Sequence, residues 1–282
     1  MTQIKLNGKV ALVTGANSGI GAVTARELAL QGYNVFLACR DADKAQQVIN
    51  AIDQQSRGQA KAEFIPLDLA SLDSIRACAA QFLAKKLPLH LLICNAGLAG
   101  HKGMTKSGFE LTFGVCHVGH FLLTQLLTEK LIESKPARVV VVSSKAHRHA
   151  KGIDFDAVIR PTESMGALKE YAVAKLANVL FVKELGRRLY GTGVTAYAVH
   201  PGVVSTNVWR SLPKPMVKVL SRWMISPEEG AQTTLYCAIQ PQLSGETGMY
   251  YDNCKVTASS VTAQDIQLAR LLWEKSSEWV KY

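Results

Sequence analysis

The sequence predicts a doubly wound α/β fold, a mainly parallel sheet covered by helices on both faces in three layers. Three observations predict it. Short runs rich in Val, Ile and Leu alternate with longer segments of helical period along nearly the whole chain. A glycine-rich turn follows the first apolar run and opens the first helical segment. Polar residues with chemical potential then recur where apolar runs end, the edge at which such sheets bind ligands.

Strands are expected at 9–14, 34–39, 62–67, 89–94, 138–143 and 194–200, short runs dominated by apolar residues, as strands covered on both faces are. Helical spacing of apolar residues marks 19–31, 42–55, 71–86, 107–133 and 168–190. A last strand is expected at 248–251 and a closing helix at 264–278. With 282 residues, 48% of them apolar, and no Pro/Gly/Ser-rich or charged linker, the chain reads as one domain over 1–282, with a small helical substrate lid over 207–226.

Composition narrows the partners. A net charge of +10 is compatible with nucleic acid, an anionic membrane surface or a negatively charged cofactor. No basic run exceeds two residues and no aromatic-basic array is visible, so nucleic acid is not expected. Lys214, Lys218 and Arg222 recur every four residues beside Met216, Val217, Val219 and Leu220. That spacing suits a lid helix with a wet face; peripheral contact with an anionic membrane is the alternative. No signal peptide or membrane span is expected, and six cysteines without paired or metal-type spacing suit a reducing compartment, so a cytoplasmic protein is anticipated. The close pair His147 and His149 lacks an acid or cysteine to complete a ligand set, so it reads as a surface loop and no metal is expected.

The turn after the first strand is Thr14-Gly15-Ala-Asn17-Ser18-Gly19-Ile20-Gly21. Its glycines permit a tight turn, close backbone approach to a pyrophosphate and tight helix packing, with the helix N-terminus facing the phosphates. This makes the fold Rossmann-like, with a dinucleotide expected. At the end of the second strand, where an acid would accept from a ribose 2′-hydroxyl, stands Cys39, followed by Arg40, whose guanidinium suits a 2′-phosphate. NADP(H) is therefore favoured, with NAD(H) as the alternative; Asp41 reads as the cap of the next helix. Asp68-Leu69 ends the third strand, within reach of the adenine, and Asn95-Ala96-Gly97 ends the fourth, lining the cofactor cleft. Pro201-Gly202-Val203-Val204-Ser205-Thr206 follows the sixth, where backbone groups and the Thr206 hydroxyl suit a nicotinamide carboxamide; a plain proline-glycine turn has the same composition.

Ser143-Ser144 closes the fifth strand, and Tyr171-Ala-Val-Ala-Lys175 opens the helix beyond it. Tyrosine and lysine four residues apart share one helical face, so the ammonium can favour the phenolate while a serine holds a carbonyl or hydroxyl oxygen. Such a set moves a proton during hydride transfer. His117 and His120, on the long helix, read as packing or interface residues, and Trp209, Met216, Trp223 and Met224 as an apolar wall of a substrate cleft.

Taken together these motifs resemble the short-chain dehydrogenase/reductase family over nearly the whole chain. Gly114-Val-Cys-His-Val-Gly-His-Phe-Leu-Leu-Thr124, Lys175-Leu-Ala-Asn178 and Gly248-Met-Tyr-Tyr-Asp-Asn-Cys254 place the likeness nearest a branch of retinol dehydrogenases and WW-domain oxidoreductases, here without a WW domain. The resemblance implies that Tyr171 donates or accepts the proton, Lys175 holds the nicotinamide ribose and favours the phenolate, and Ser144, the second serine of the pair, orients the reacting oxygen. It implies a lipophilic substrate such as a retinoid, a steroid or an aliphatic or aromatic aldehyde or ketone; the two long helices are candidates for pairing across a homodimer, as in many members, with a face buried within the chain as the alternative. One position departs from the family. Cys116 stands where members usually carry an asparagine, which steadies the long helix and whose carbonyl holds a water in a proton relay behind the lysine. Losing the amide's hydrogen bonds predicts a cost of about 1 to 3 kcal/mol, one to two decades in rate. The rival reading is a nucleotide-binding regulatory or scaffold protein with reduced or lost activity.

Overall fold

In the computed structural model, which describes residues 6–204 and 224–281, eight strands form one sheet. The strands are β1 Val10–Thr14, β2 Asn34–Cys39, β3 Lys61–Pro66, β4 Leu91–Cys94, β5 Ala137–Val142, β6 Val194–His200, β7 Met249–Asp252 and β8 Lys255–Val256. Their spatial order is β3-β2-β1-β4-β5-β6-β7-β8, parallel from β3 through β7, with β8 antiparallel on the edge. Strand order reverses between β1 and β4, so the crevice that such a sheet offers to ligands opens beyond their carboxyl ends.

The central strands are apolar on both faces because each face meets a helical layer. Leu12, Leu92, Cys94, Val139 and Val141 belong to one core, whereas Ala11, Val13, Ile93, Val140 and Val142 belong to the other. The period of two that alternates these sets survives although nearly every residue is hydrophobic. The helices are α1 Gly19–Leu30, α2 Ala42–Ser56, α3 Leu72–Ala84, α4 Leu111–Glu133, α5 Leu168–Arg188, α6 Pro227–Ile239 and α7 Ile266–Trp279. Side chains cap several of their first turns: Asp41 accepts from Lys44 N–H, Ser71 from Ser74 N–H, and Asp265 from Gln267 and Leu268 N–H. Ser226 and Glu229 form a reciprocal capping box on α6 behind Pro227.

Four expectations need correction. The helix expected from 107 starts at Leu111, because Thr105 N–H donates to Phe109 O and Gly108 takes φ +84°, closing a tight turn just before it. Within α4, Gly114–Val118 is wound as a π-helix, with Gly119 N–H donating to Gly114 O five residues back. Helix α6 and strand β8 lie in stretches to which the sequence reading gave no element. His147 is no surface residue: it is fully buried in the 3-10 turn Lys145–His149, and of the two histidines His149 alone is exposed.

Helix α4 is long and apolar enough to cross a membrane by length and composition, yet it is a core helix of the sheet. Trp273 of α7 packs edge-on against Phe121 of α4 at 5.0 Å and stacks on Phe181 of α5 at 5.9 Å. The faces of the two long helices that carry these rings are thus covered within the chain. His117 and His120 are packing residues, each 1% exposed. Residues 205–223, with Thr206, Trp209, Met216, Trp223, the basic stretch 214–222 and most of the expected lid, lie outside the described residues. Of the lid's end, Ile225 pairs with Val204 and Ser226 caps α6.

Candidate active site

A cleft of about 1730 Å³ runs along the carboxyl ends of the strands. It is lined by Gly15, Asn17, Ser18, Gly19, Ile20 and Gly21 at one side and by Ser144, Tyr171 and Lys175 at another. Arg40, Asp68, Leu69, Asn95, Ala96, Gly97, Pro201, Gly202 and Val204 line it as well. Every expected cofactor or catalytic position among the described residues therefore opens on one space.

The turn between β1 and α1 suits a pyrophosphate because Gly15, Gly19 and Gly21 bring backbone, with no Cβ, to the cleft. Gly15 and Gly19 adopt φ of +66° and +54°. A Cβ on Gly21 would lie 2.3 Å from Gly15 O and 2.4 Å from Asn95 Nδ2, so this helix and loop pack backbone to backbone. Ser18, the N-cap of α1, makes no side-chain cap bond, which leaves the first N–H groups of the helix for an anion. The cradle fits the diphosphate of a dinucleotide.

One buried hydroxyl organises the neighbouring loop. Thr14 Oγ1 accepts from Asn95 N–H at 2.9 Å and from Ala96 N–H at 3.0 Å, and Asn95 Nδ2 donates to Thr14 O at 2.8 Å. With both lone pairs in use, the Thr14 hydroxyl proton goes to His120 Nε2 at 2.8 Å, and His120 Nδ1 donates to Cys116 O at 3.0 Å. Burial drives the His120 pKa down to about 4, so the ring is neutral, as this chain of bonds requires. The Cys116 carbonyl is thereby engaged by a side chain one turn on, inside the π segment. The Cys116 thiol is fully buried, with Sγ 3.9 Å from Leu98 O.

At the far end of β2, Cys39 is buried, and desolvation pushes its thiol up to about 11. Arg40 is exposed along the cleft wall. Asp41, also on the cleft wall, caps α2 and pairs with Lys44 Nζ at 2.9 Å; that partner holds its carboxyl below the usual range. Asp68 accepts from Ala70 N–H at 3.1 Å and from Lys106 Nζ at 3.2 Å.

Of the two serines, Ser143 is committed to the fold. Its Oγ donates to Lys175 O at 2.8 Å, tying the end of β5 to α5. Ser144 lines the cleft, with Oγ accepting from Ala146 N–H at 3.2 Å, which leaves its own hydroxyl proton to donate. Lys175 is 3% exposed; its Nζ donates to Val142 O at 2.9 Å and lies 5.6 Å from the centroid of the Tyr171 ring. Asn178 Nδ2 donates to the same carbonyl at 3.1 Å. A Cβ on Gly97 would lie 3.4 Å from Lys175 Nζ, so the β4 loop closes directly over the ammonium. At the β6 end, Gly202 takes φ +90°, and a Cβ there would meet Ile225 Cδ1 at 2.5 Å. The same cleft carries a set of apolar side chains, Leu98, Leu111, Phe113, Val115 and Val158, beside polar ones such as His101 and Glu110. Sequence reasoning missed Thr14 as a hub, His120 as its partner, and the partners of His147 and His200 taken up below.

The short-chain dehydrogenase family model matches residues 9–156. Retinol dehydrogenase 11 of Mus musculus is 44% identical over 280 residues, covering 98% of this chain and 88% of that protein. The WW domain-containing oxidoreductase of Danio rerio is 44% identical over 293 residues, covering 98% of this chain and 69% of that protein. Among solved structures, the 3-ketoacyl-(acyl-carrier-protein) reductase of Brucella melitensis complexed with NADH superposes with a TM-score of 0.68 at 25% identity, covering 88% of this chain and 97% of that one. With its sheet order, glycine cradle and serine-tyrosine-lysine cleft, the chain belongs to the short-chain dehydrogenase/reductase family of nicotinamide-dependent oxidoreductases, and is similar to retinol dehydrogenases within it.

Proposed function

We propose that this chain is an NADP(H)-dependent oxidoreductase that interconverts the carbonyl and alcohol of a lipophilic small molecule. The observation that carries the reading is the convergence on one cleft of Tyr171 and Lys175, a helical turn apart, with the uncommitted hydroxyl of Ser144 and the Gly15–Gly21 cradle. When bound, the dinucleotide supplies or accepts hydride at nicotinamide C4. Ser144 donates a hydrogen bond to the reacting oxygen and orients it. Tyr171 gives that oxygen a proton in reduction and takes it back in oxidation. The buried Lys175 ammonium, 5.6 Å from the Tyr171 ring centroid, holds the nicotinamide ribose beside the tyrosine. The β1–α1 turn binds the diphosphate through backbone N–H groups, and Arg40 pairs with a 2′-phosphate. Asp68 and Leu69 flank the adenine, Asn95 to Gly97 support the cleft floor, and Pro201, Gly202 and Val204 flank the carboxamide, for which the Thr206 hydroxyl is the further candidate by sequence.

The apolar wall around Leu111, Phe113 and Val158 supports a retinoid, steroid or other lipophilic aldehyde or ketone, in keeping with the relative named retinol dehydrogenase. All six cysteines are free thiols, five of them buried, which suits a reducing cytoplasmic compartment. Contact of the basic stretch 214–222 with an anionic membrane belongs to the same proposal; flotation with anionic liposomes that weakens in high salt tests it. The test of function is loss of NADPH absorbance, with NADH in parallel, across a panel of retinal, keto-steroids and medium and long aldehydes. Turnover with NADPH that Tyr171→Phe abolishes is expected. Cofactor binding with no turnover of any panel member would favour the scaffold reading instead.

A further inference from the structure

The peptide bond that follows Ser144 is held at both of its polar atoms by histidine side chains. His147 Nδ1 lies 2.7 Å from Ser144 O. A carbonyl only accepts, so Nδ1 carries the ring proton and Nε2 is free to accept, which it does from Ser260 N–H at 3.0 Å. From the other side Lys145 N–H donates to His200 Nδ1 at 3.3 Å, so that nitrogen is the unprotonated one. The two rings are 0% and 4% exposed, and they come from different elements, the turn after β5 and the end of β6. A third link reinforces the second: Lys145 Nζ pairs with Asp252 Oδ2 at 2.7 Å, and Asp252 is the register partner of His200 across β6 and β7.

We propose that His147 and His200 are positioning residues that clamp the Ser144–Lys145 peptide plane and so aim the Ser144 hydroxyl into the cleft, an inference that rests on the oxidoreductase reading for the hydroxyl's task. The residue before Ser144 is pinned by the bond from Ser143 Oγ to Lys175 O. With the following peptide gripped by two imidazoles, the Cα of Ser144 is fixed from both sides, and its Oγ takes the further bond from Ala146 N–H. Burial suits both rings to the task. It lowers the His200 pKa to about 4, although Asp252 opposes the shift while Lys145, His147 and Lys175 assist it, and it lowers that of His147, assisted by Arg148. Neutral rings are required, because a protonated His200 could not accept from Lys145 N–H, nor a protonated His147 from Ser260 N–H. Misplacement of a reacting group by about 1 Å costs on the order of 100-fold in rate, so a clamp on one backbone plane has kinetic consequences.

The experiment compares His147→Leu and His200→Leu with His147→Asn and His200→Asn, whose amide places a donor or acceptor where each Nδ1 stands. The leucine variants are expected to lower kcat for an aldehyde of the panel at least tenfold, with KM within about threefold and NADPH Kd within about twofold of native. The asparagine variants should recover most of the lost kcat, a rescue that simple cavity damage would not give. In parallel, amide hydrogen exchange at Lys145 should quicken at least tenfold in His200→Leu and stay near native in His200→Asn. His200→Ala replaces the leucine variant if that one does not fold. Native kcat in folded leucine variants, failure of asparagine to rescue, or Lys145 exchange indifferent to His200 each overturns the clamp. A native protein that reduces no substrate but shows His200-dependent protection of Lys145 keeps the clamp and overturns the oxidoreductase reading, so the two failures are told apart.

Discussion

Replacing Thr14 by valine, which keeps the shape and deletes the hydroxyl, tests whether one oxygen holds the cofactor side of the cleft together. Thr14 is fully buried, and Oγ1 accepts from Asn95 N–H at 2.9 Å and Ala96 N–H at 3.0 Å and donates to His120 Nε2 at 2.8 Å, with Ile93 O a fourth, longer contact at 3.4 Å. Each buried polar group left without a partner costs about 1 to 3 kcal/mol. Asn95 N–H keeps a second acceptor, Ile93 O at 3.0 Å, and Ala96 N–H is part-buried and can recruit water, so the two amides together take the low end. The imidazole nitrogen is fully enclosed and takes a middle value. The sum is about 2 to 4 kcal/mol, a large fraction of the roughly 5 to 15 kcal/mol that holds a domain folded. Thr14→Ser is the control: it keeps the hydroxyl and loses one methyl, about 1 kcal/mol. Urea unfolding of the three proteins at pH 7.5 measures the difference through midpoints at constant slope. A valine variant within about 1 kcal/mol of the serine variant would refute the hub.

Other outcomes follow from the same geometry. Gly21→Ala forces a methyl against Gly15 O and Asn95 Nδ2, contacts of 2.3 and 2.4 Å, so NADPH Kd from protein fluorescence quenching should rise about tenfold or more. Arg40→Ala removes the proposed partner of a 2′-phosphate and should weaken NADPH by about 10- to 100-fold, with NADH within twofold; equal losses for both cofactors would reject that role. Acid should destabilise the fold through its buried histidines, since burial lowers His117 to about 3 and both His120 and His200 to about 4. Above about 6.5 these rings are neutral folded or unfolded and the full stability is present; as pH falls toward 4 the unfolded chain binds protons the folded one excludes. The loss is roughly 1.4 kcal/mol per pH unit for each ring, and a urea midpoint unchanged between pH 7.5 and 5 would contradict it.

The sheet was legible because its central strands are short runs dominated by Val, Leu, Ile and Ala and stopped by glycine or polar residues, and most boundaries fell within two residues of those found. Helix α6 carries a trace in the sequence at its start, the capping box Ser226-Pro-Glu-Glu229. The π segment left none, since one extra residue in a turn barely disturbs the apolar pattern around Phe113 to Phe121. His147 misled because its neighbours Arg148, His149 and Lys151 are polar, whereas its burial is decided by Ser260 and by Tyr250, whose ring lies 4.9 Å away. Local composition carries no information about partners a hundred residues distant. The same holds for the serine pair: that Ser143 reaches Lys175 O and Ser144 does not is a matter of tertiary geometry alone.

The most direct measurement of the central claim is transfer of deuterium from 4-deuterated NADPH to the carbonyl carbon of a lipophilic aldehyde, followed by mass spectrometry, in the native protein and in Tyr171→Phe. The account predicts a mono-deuterated alcohol from one of the two C4 epimers of the cofactor, at a rate that falls by at least 100-fold in the phenylalanine variant while NADPH still binds. Alcohol without deuterium, or undiminished transfer in Tyr171→Phe, would contradict it.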